Sequence, residues 1–176
     1  MLKIFSTQLN GIFSKIQQDN EFAFEDAARL LAQTVLSHGT VYFTGKDEME
    51  AVNAEGLYGQ EAFSNAKPLN TKEISQLTRV DTVLASARFH DDEPVLSLLQ
   101  EIKQNTDASI IFLASRKEKG EEAAPHCDAF IDLMVKKGLV PAENGERIGI
   151  PSAMAGLFAY YALFLTAKEI LEEYED

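Results

Sequence analysis

Two short apolar runs, each passing almost at once into a helical pattern, constrain this chain more than any other feature. The first is residues 40–45, Thr-Val-Tyr-Phe-Thr-Gly, followed by Lys46-Asp47-Glu48 and a stretch marked by Met49, Val52, Gly56 and Phe63. The second is residues 81–86, Asp-Thr-Val-Leu-Ala-Ser. It leads through Ala87-Arg88-Phe89-His90-Asp91-Asp92-Glu93 into a helix whose apolar face is Val95, Leu98, Leu99 and Ile102. Residues 108–114, Ala-Ser-Ile-Ile-Phe-Leu-Ala, read as a fully buried strand. Strands alternating with helices predict a parallel sheet covered on both faces. In such sheets ligands bind beyond the carboxyl ends of the strands, where helix N-termini can hold an anion. The two acid-bearing junctions are therefore the predicted functional address.

The remaining elements follow from spacing. Ile4, Phe5, Leu9, Ile12, Phe13 and Ile16 form one helical stripe, broken at Gln18-Asp19-Asn20. Phe24, Ala28, Leu31 and Val35 mark a second helix, stopped at His38-Gly39. Residues 66–69 suit an edge strand interrupted by Pro68. The charged stretch 116–122 is expected to open a short helix. Residues 128–135 are the last strand candidate, and a polar connection follows through Pro141, Asn144 and Gly145. The chain reads as one domain: leading helices over 1–38, a sheet core over 40–135 and a closing helix over 152–174. The apolar stripes of the leading and closing helices predict a helical dimer interface.

Residues 148–167 carry no charge and have the length of a membrane span. Pro151, the small residues and the Tyr160-Tyr161 pair favour instead a helix buried on most sides. Lys and Arg number 16 against 28 Asp and Glu, a net charge of -12. That balance argues against nucleic acid, which draws on many basic phosphate contacts, and against an anionic membrane surface. It suits a soluble cytoplasmic protein. Cys127 stands alone, so neither a disulfide framework nor a cysteine metal site is expected. The start of the chain is an amphipathic pattern rather than a signal peptide. Glu169, Glu172, Glu173, Glu175 and Asp176 oppose the closing helix dipole, so that end should fray.

Each junction admits two readings. Gly45-Lys46-Asp47-Glu48 is a phosphate turn, with backbone amides and Lys46 holding an anion, or a plainly capped helix start. At the second junction Ser86 and Arg88 could contact a phosphorylated ligand, Arg88 bidentately. Asp91-Asp92-Glu93-Pro94 is equally a helix start in its own right. His90 is the residue type suited to proton transfer at neutral pH and could act as acid or base. Glu55 and Glu61, on the stretch after the first junction, are candidate general bases, and Arg147 is a candidate anion contact. His126-Cys127-Asp128 has metal-binding residue types, but neighbours entering a strand face opposite sides. No metal site is expected there.

The order of these elements resembles a sugar isomerase (SIS) domain, and within it the phosphoheptose isomerases and a small bacterial group near them. The resemblance is carried by two leading helices, the strand ending at Gly45, and the strand Asp81-Thr82-Val83-Leu84. It continues through Ala108-Ser109-Ile110-Ile111-Phe112-Leu113, then Cys127-Asp128-Ala129-Phe130-Ile131-Asp132, and a long closing helix. It implies a three-layer α/β/α sandwich on a five-stranded parallel, flavodoxin-like sheet with extra N-terminal helices. A homodimer or homotetramer with sites shared between subunits is also implied. The family's first loop is Gly-rich and ends in a phosphate-binding Ser; here only Gly45 corresponds. Its second loop is a Ser/Thr-Ser-Gly run; here only Ser86 corresponds. The family's base is a Glu on the helix after the first loop, for which Glu55 stands nearest. Its partner His lies on the closing helix, where this chain has Tyr160 and Tyr161 and no His.

These readings give two functional expectations. The first is a phosphosugar-binding protein resembling phosphoheptose isomerases, needing no cofactor or metal, with phosphate near Ser86 and Arg88 and sugar toward Gly45, Lys46 and Glu55. In an aldose–ketose isomerisation Glu55 would move the proton, assisted by His90 or a closing-helix Tyr. The second is a non-catalytic dimeric interaction or regulatory module that binds no phosphosugar.

Overall fold

The computed structural model describes residues 1–118 and 125–174. Helices α1 (Leu2–Asp19) and α2 (Glu21–Leu36) meet at Asn20, where the chain leaves helical geometry for a single residue. Strand β1 (Val41–Gly45) is followed by a 3-10 turn, Asp47–Met49, and by α3 (Glu50–Tyr58). Strand β2 (Ala66–Pro68) lies at the sheet edge, where the missing proline N–H removes no ladder bond. Then come β3 (Thr82–Phe89), α4 (Glu93–Asn105), β4 (Ser109–Ser115) and β5 (Ala129–Asp132). A small hairpin, β6 (Val140–Pro141) with β7 (Arg147–Ile148), precedes α5 (Ser152–Glu173).

The five main strands are parallel in the order β2-β1-β3-β4-β5. Alternation along them separates two cores. Phe43, Leu84, Ile111, Leu113 and Ile131 face α2, α3 and α5. Val83, Ala85, Ile110, Phe112 and Phe130 face α4 and a second 3-10 turn, Thr71–Gln76. The three-layer sandwich with extra N-terminal helices is therefore the fold of this chain.

Several local expectations need correcting. Phe63 lies beyond α3, because Gly59 leaves helical geometry just after Tyr58. Residues 116–118 are not helical: Arg116 is drawn to Asp132 through both its amide and its guanidinium. The rest of that expected helix, 119–122, and the tail residues Glu175 and Asp176 lie outside the described residues. The last strand stops at Asp132, where the carboxylate turns back to accept from the amide of Met134, a residue at φ 58°. The polar connection forms an antiparallel hairpin. The closing helix is buried along one face rather than on most sides. Ala155, Gly156, Ala159, Tyr160, Leu163 and Ala167 point inward, whereas Met154, Tyr161 and Leu165 are exposed. It is long and apolar enough to cross a membrane by length and composition, yet its inner stripe is already packed on α2 and α3.

Candidate functional site

Strand order reverses between β1 and β3, and both strands end at one cleft. Such a switch point leaves an opening because the connections leave to opposite sides. Gly45 pairs with Ser86 across it, and the Lys46 amide donates to the Ser86 carbonyl at 3.2 Å. A β-carbon on Gly45 would lie 2.8 Å from both the Met49 carbonyl oxygen and Ser86 Oγ, so the close approach requires glycine. Ser86 itself is fully buried, and its hydroxyl donates to the Met49 carbonyl at 3.3 Å. Its side chain thus braces the junction wall.

The cleft encloses about 310 Å³ and is lined by Lys46, Asp47, Arg88, Phe89, Asp91, Asp92, Glu93 and Lys117. Three cations converge there, each facing an acid. Lys46 Nζ lies 2.7 Å from Asp92 Oδ2, and Lys117 Nζ 2.5 Å from Asp91 Oδ2. The register of β3 against β4 shifts between Ser86 and Phe89, which turns Arg88 outward. Its guanidinium clasps Glu48 through Nε and a terminal nitrogen, both at 2.7 Å. This pairing holds the Glu48 carboxyl below its usual range and raises Arg88, while Asp92 raises Lys46.

The acids divide by role. Asp92 caps α4 by accepting from the Val95 amide at 3.3 Å, as the helix-start reading expects. Asp47 and Glu48 make no side-chain cap; Asp47 sits at φ 53°, and the turn it makes delivers Glu48 to Arg88. Sequence reasoning misses Lys117 and Glu48 as site residues. Lys117 follows β4 and reaches the cleft only through the sheet's packing, which spacing along the chain does not reveal.

The other predicted residues fall at varied distances from this cleft. His90 follows β3; its amide donates to the Ser115 carbonyl at 3.0 Å and its ring meets Phe130 edge-on. Glu55 lies in the second turn of α3, about 8 Å along that helix from Glu50. Its carboxylate raises the Tyr161 phenol and, less strongly than burial does, that of Tyr160. Tyr160 donates to the Glu61 carbonyl, and burial raises its phenol strongly. Arg147 belongs to the β6–β7 hairpin, where its guanidinium donates to the carbonyls of Gly138 at 2.7 Å and Leu139 at 2.6 Å. In the His126-Cys127-Asp128 run, Asp128 binds Lys103 at 2.6 Å, and burial pushes the Cys127 thiol up to about 11. Among the described residues no group of His, Cys, Asp and Glu is arranged to hold a metal ion.

A five-stranded parallel sheet flanked by helices is the fold this chain shares with solved sugar-phosphate isomerase structures. Phosphoheptose isomerase GmhA from Neisseria gonorrhoeae superposes with a TM-score of 0.61 at 14% identity, covering 97% of this chain and 99% of that one. The E. coli CFT073 protein c3406, solved in complex with a sugar phosphate, gives a TM-score of 0.65 at 13% identity over 96% and 89% of the two chains. By sequence the chain belongs to the DUF2529 family, a domain of unknown function, whose model matches residues 1–171. A relative in that sequence range is the uncharacterized protein YwjG of Bacillus subtilis (strain 168), 38% identical over 176 residues and 99% of each chain.

Proposed function

We propose that this protein binds a phosphorylated sugar across the β1 and β3 junctions. The observation that carries the reading is the convergence of Lys46, Arg88 and Lys117 on one cleft at the sheet's switch point. The sugar-phosphate complex of the E. coli structural neighbour supports the ligand class. The phosphate lies near Arg88 and the Ser86 junction, and the sugar toward Gly45, Lys46 and Glu55. Turnover on this reading is an aldose–ketose isomerisation resembling that of phosphoheptose isomerases. Glu55 moves a proton between C1 and C2, assisted by His90 or by Tyr161, whose phenol the Glu55 carboxylate already raises. Arg147 joins the ligand only by releasing the carbonyls of Gly138 and Leu139. No cofactor or metal enters this scheme.

The active form is a cytoplasmic homodimer or homotetramer. A groove of about 670 Å³ runs beside Phe24, Phe158, Tyr161, Ala162 and Leu165, and its exposed apolar residues suit a second copy of the chain. A second reading, a dimeric regulatory module without a phosphosugar, is favoured by one observation: each cation of the cleft already has an acid partner.

A thermal-shift screen with sugar phosphates separates the two. A ligand at a hundred times its dissociation constant adds about 2.7 kcal/mol of stability. No shift with any phosphosugar in a folded oligomer refutes the first reading. An NMR time course with sedoheptulose 7-phosphate tests turnover; Glu55→Gln should abolish it and leave binding in place.

A further inference from the structure

We propose that Glu48 is a resident anion seated where a phosphate monoester binds, and that the ligand enters by exchanging its phosphate for the Glu48 carboxylate. This rests on the sugar-phosphate reading and adds to it an occupied seat and a mechanism of entry.

Three features come together around the turn that carries Glu48. The first is the planar fork of Arg88, which grips both oxygens at 2.7 Å. That geometry matches a phosphate as well as a carboxylate. The second is the start of α5, the longest helix among the described residues at 22 residues. It has no side-chain cap: Pro151 occupies the N-cap position, and the first intrahelical bond runs from the Ala155 amide to the Pro151 carbonyl. The amides before Ala155 have no such partner, and this helix packs against the turn that carries Glu48. The third is Ser152, only 1% exposed, whose Oγ is buried and makes no hydrogen bond of good geometry. Its hydroxyl nonetheless lies close enough to Glu48 to help hold that carboxyl ionised. A buried hydroxyl with no partner is costly unless something completes it. A phosphate offers acceptor oxygens enough to bond Ser152 and Arg88 together; the single carboxylate satisfies Arg88 and leaves Ser152 short.

The exchange is sterically open. Glu48 is one-third exposed and Arg88 nearly half exposed, so the carboxylate can turn to solvent without unpacking the core. Met49, the next residue, is fully buried against α5 and anchors the turn while Glu48 moves. A dianion brings more charge and more acceptors to the seat than the carboxylate it replaces. Glu48 therefore sets a threshold that phosphate monoesters pass and singly charged sugar acids do not.

The test compares the full-length wild type with Glu48→Gln and Glu48→Gln/Arg88→Ala by calorimetric titration with inorganic phosphate and sedoheptulose 7-phosphate. Glutamine keeps the shape and removes the competing charge. The single variant should bind inorganic phosphate at least about tenfold more tightly than wild type, and the double variant should lose that gain. Unchanged or weaker affinity in Glu48→Gln, with wild-type sugar-phosphate binding intact, overturns the exchange and leaves the sugar-phosphate reading standing. No binding of either ligand by wild type or Glu48→Gln overturns both. A second measurement needs no variant: the Glu48 carboxyl resonance of the wild type should move to a solvent-exposed value at saturating sugar phosphate. A resonance that stays put while the ligand is bound overturns the exchange.

Discussion

Asn20 and Asp132, separated by 112 residues in sequence, are joined by a reciprocal pair of hydrogen bonds. Asn20 Nδ2 donates to the Asp132 carbonyl at 3.0 Å, and the Asp132 amide donates to Asn20 Oδ1 at 2.9 Å. The same Nδ2 donates to the Ile16 carbonyl at 2.8 Å. One buried side chain thus ends α1 and fastens the α1–α2 corner to β5. Asn20→Ala leaves these backbone groups without partners and should cost about 1–3 kcal/mol. Equilibrium urea unfolding measures it; a loss within the error of the extrapolation contradicts this account.

Gly56 allows α3 to lie directly on Phe43. A β-carbon there would come within 2.3 Å of the ring, and the ring is 1% exposed with no room to retreat. Gly56→Ala raises helix propensity in a free peptide, yet in this protein overpacking should dominate by about 1–3 kcal/mol. A thermal melt showing a more stable variant would reverse the sign of that argument.

The Glu48–Arg88 pair makes stability depend on pH in one direction. The hydrogen bonds from Arg88 lower the folded carboxyl below its unfolded value of about 4.3. Its contribution is fully present above that unfolded value and is lost as pH falls through the folded one. Because the pair is partly exposed, the contribution stays within ~1 kcal/mol. Glu48→Gln should therefore trail wild type slightly at neutral pH and converge on it in acid. A gap that widens on acidification would show that Glu48 is not stabilised as a carboxylate.

Leu165 is 56% exposed at the edge of the apolar groove on α5. A charge buried there between two copies would have no partner. Leu165→Glu should lower the molecular mass measured by light scattering without lowering the melting temperature of the monomer fold. An unchanged mass moves the interface elsewhere.

The sheet was legible because its strands announce themselves chemically. Val41, Phe43, Val83, Ile110, Ile111 and Phe112 are apolar where the strands run and stop where the junctions begin. Helix α4 was equally clear, since Asp92, Pro94 and the Val95–Ile102 face state its start and its buried side together. The 3-10 turn at Thr71–Gln76 left no periodic trace, because Ile74 is its one buried residue. The junction acids show the limit most sharply. Asp92 and Glu48 are the same kind of residue beside the same kind of strand, yet one caps a helix and the other binds an arginine. Asp47 at positive φ and the register shift before Phe89 make that difference, and neither is written in residue spacing. The influence of Glu55 on Tyr161 is hidden for a similar reason: α3 and α5 lie far apart in sequence and become neighbours only in the fold.

Both margins of the sheet, among the described residues, are blunted against another strand. At one margin β2 is three residues long and contains Lys67 and Pro68, the latter without an N–H to share. At the other, the outward amide and carbonyl of Asp132 are already taken by Asn20. A chain with both margins closed in this way should resist strand-exchange aggregation while its helices remain free to associate, so ordered assembly and disordered clumping draw on different surfaces.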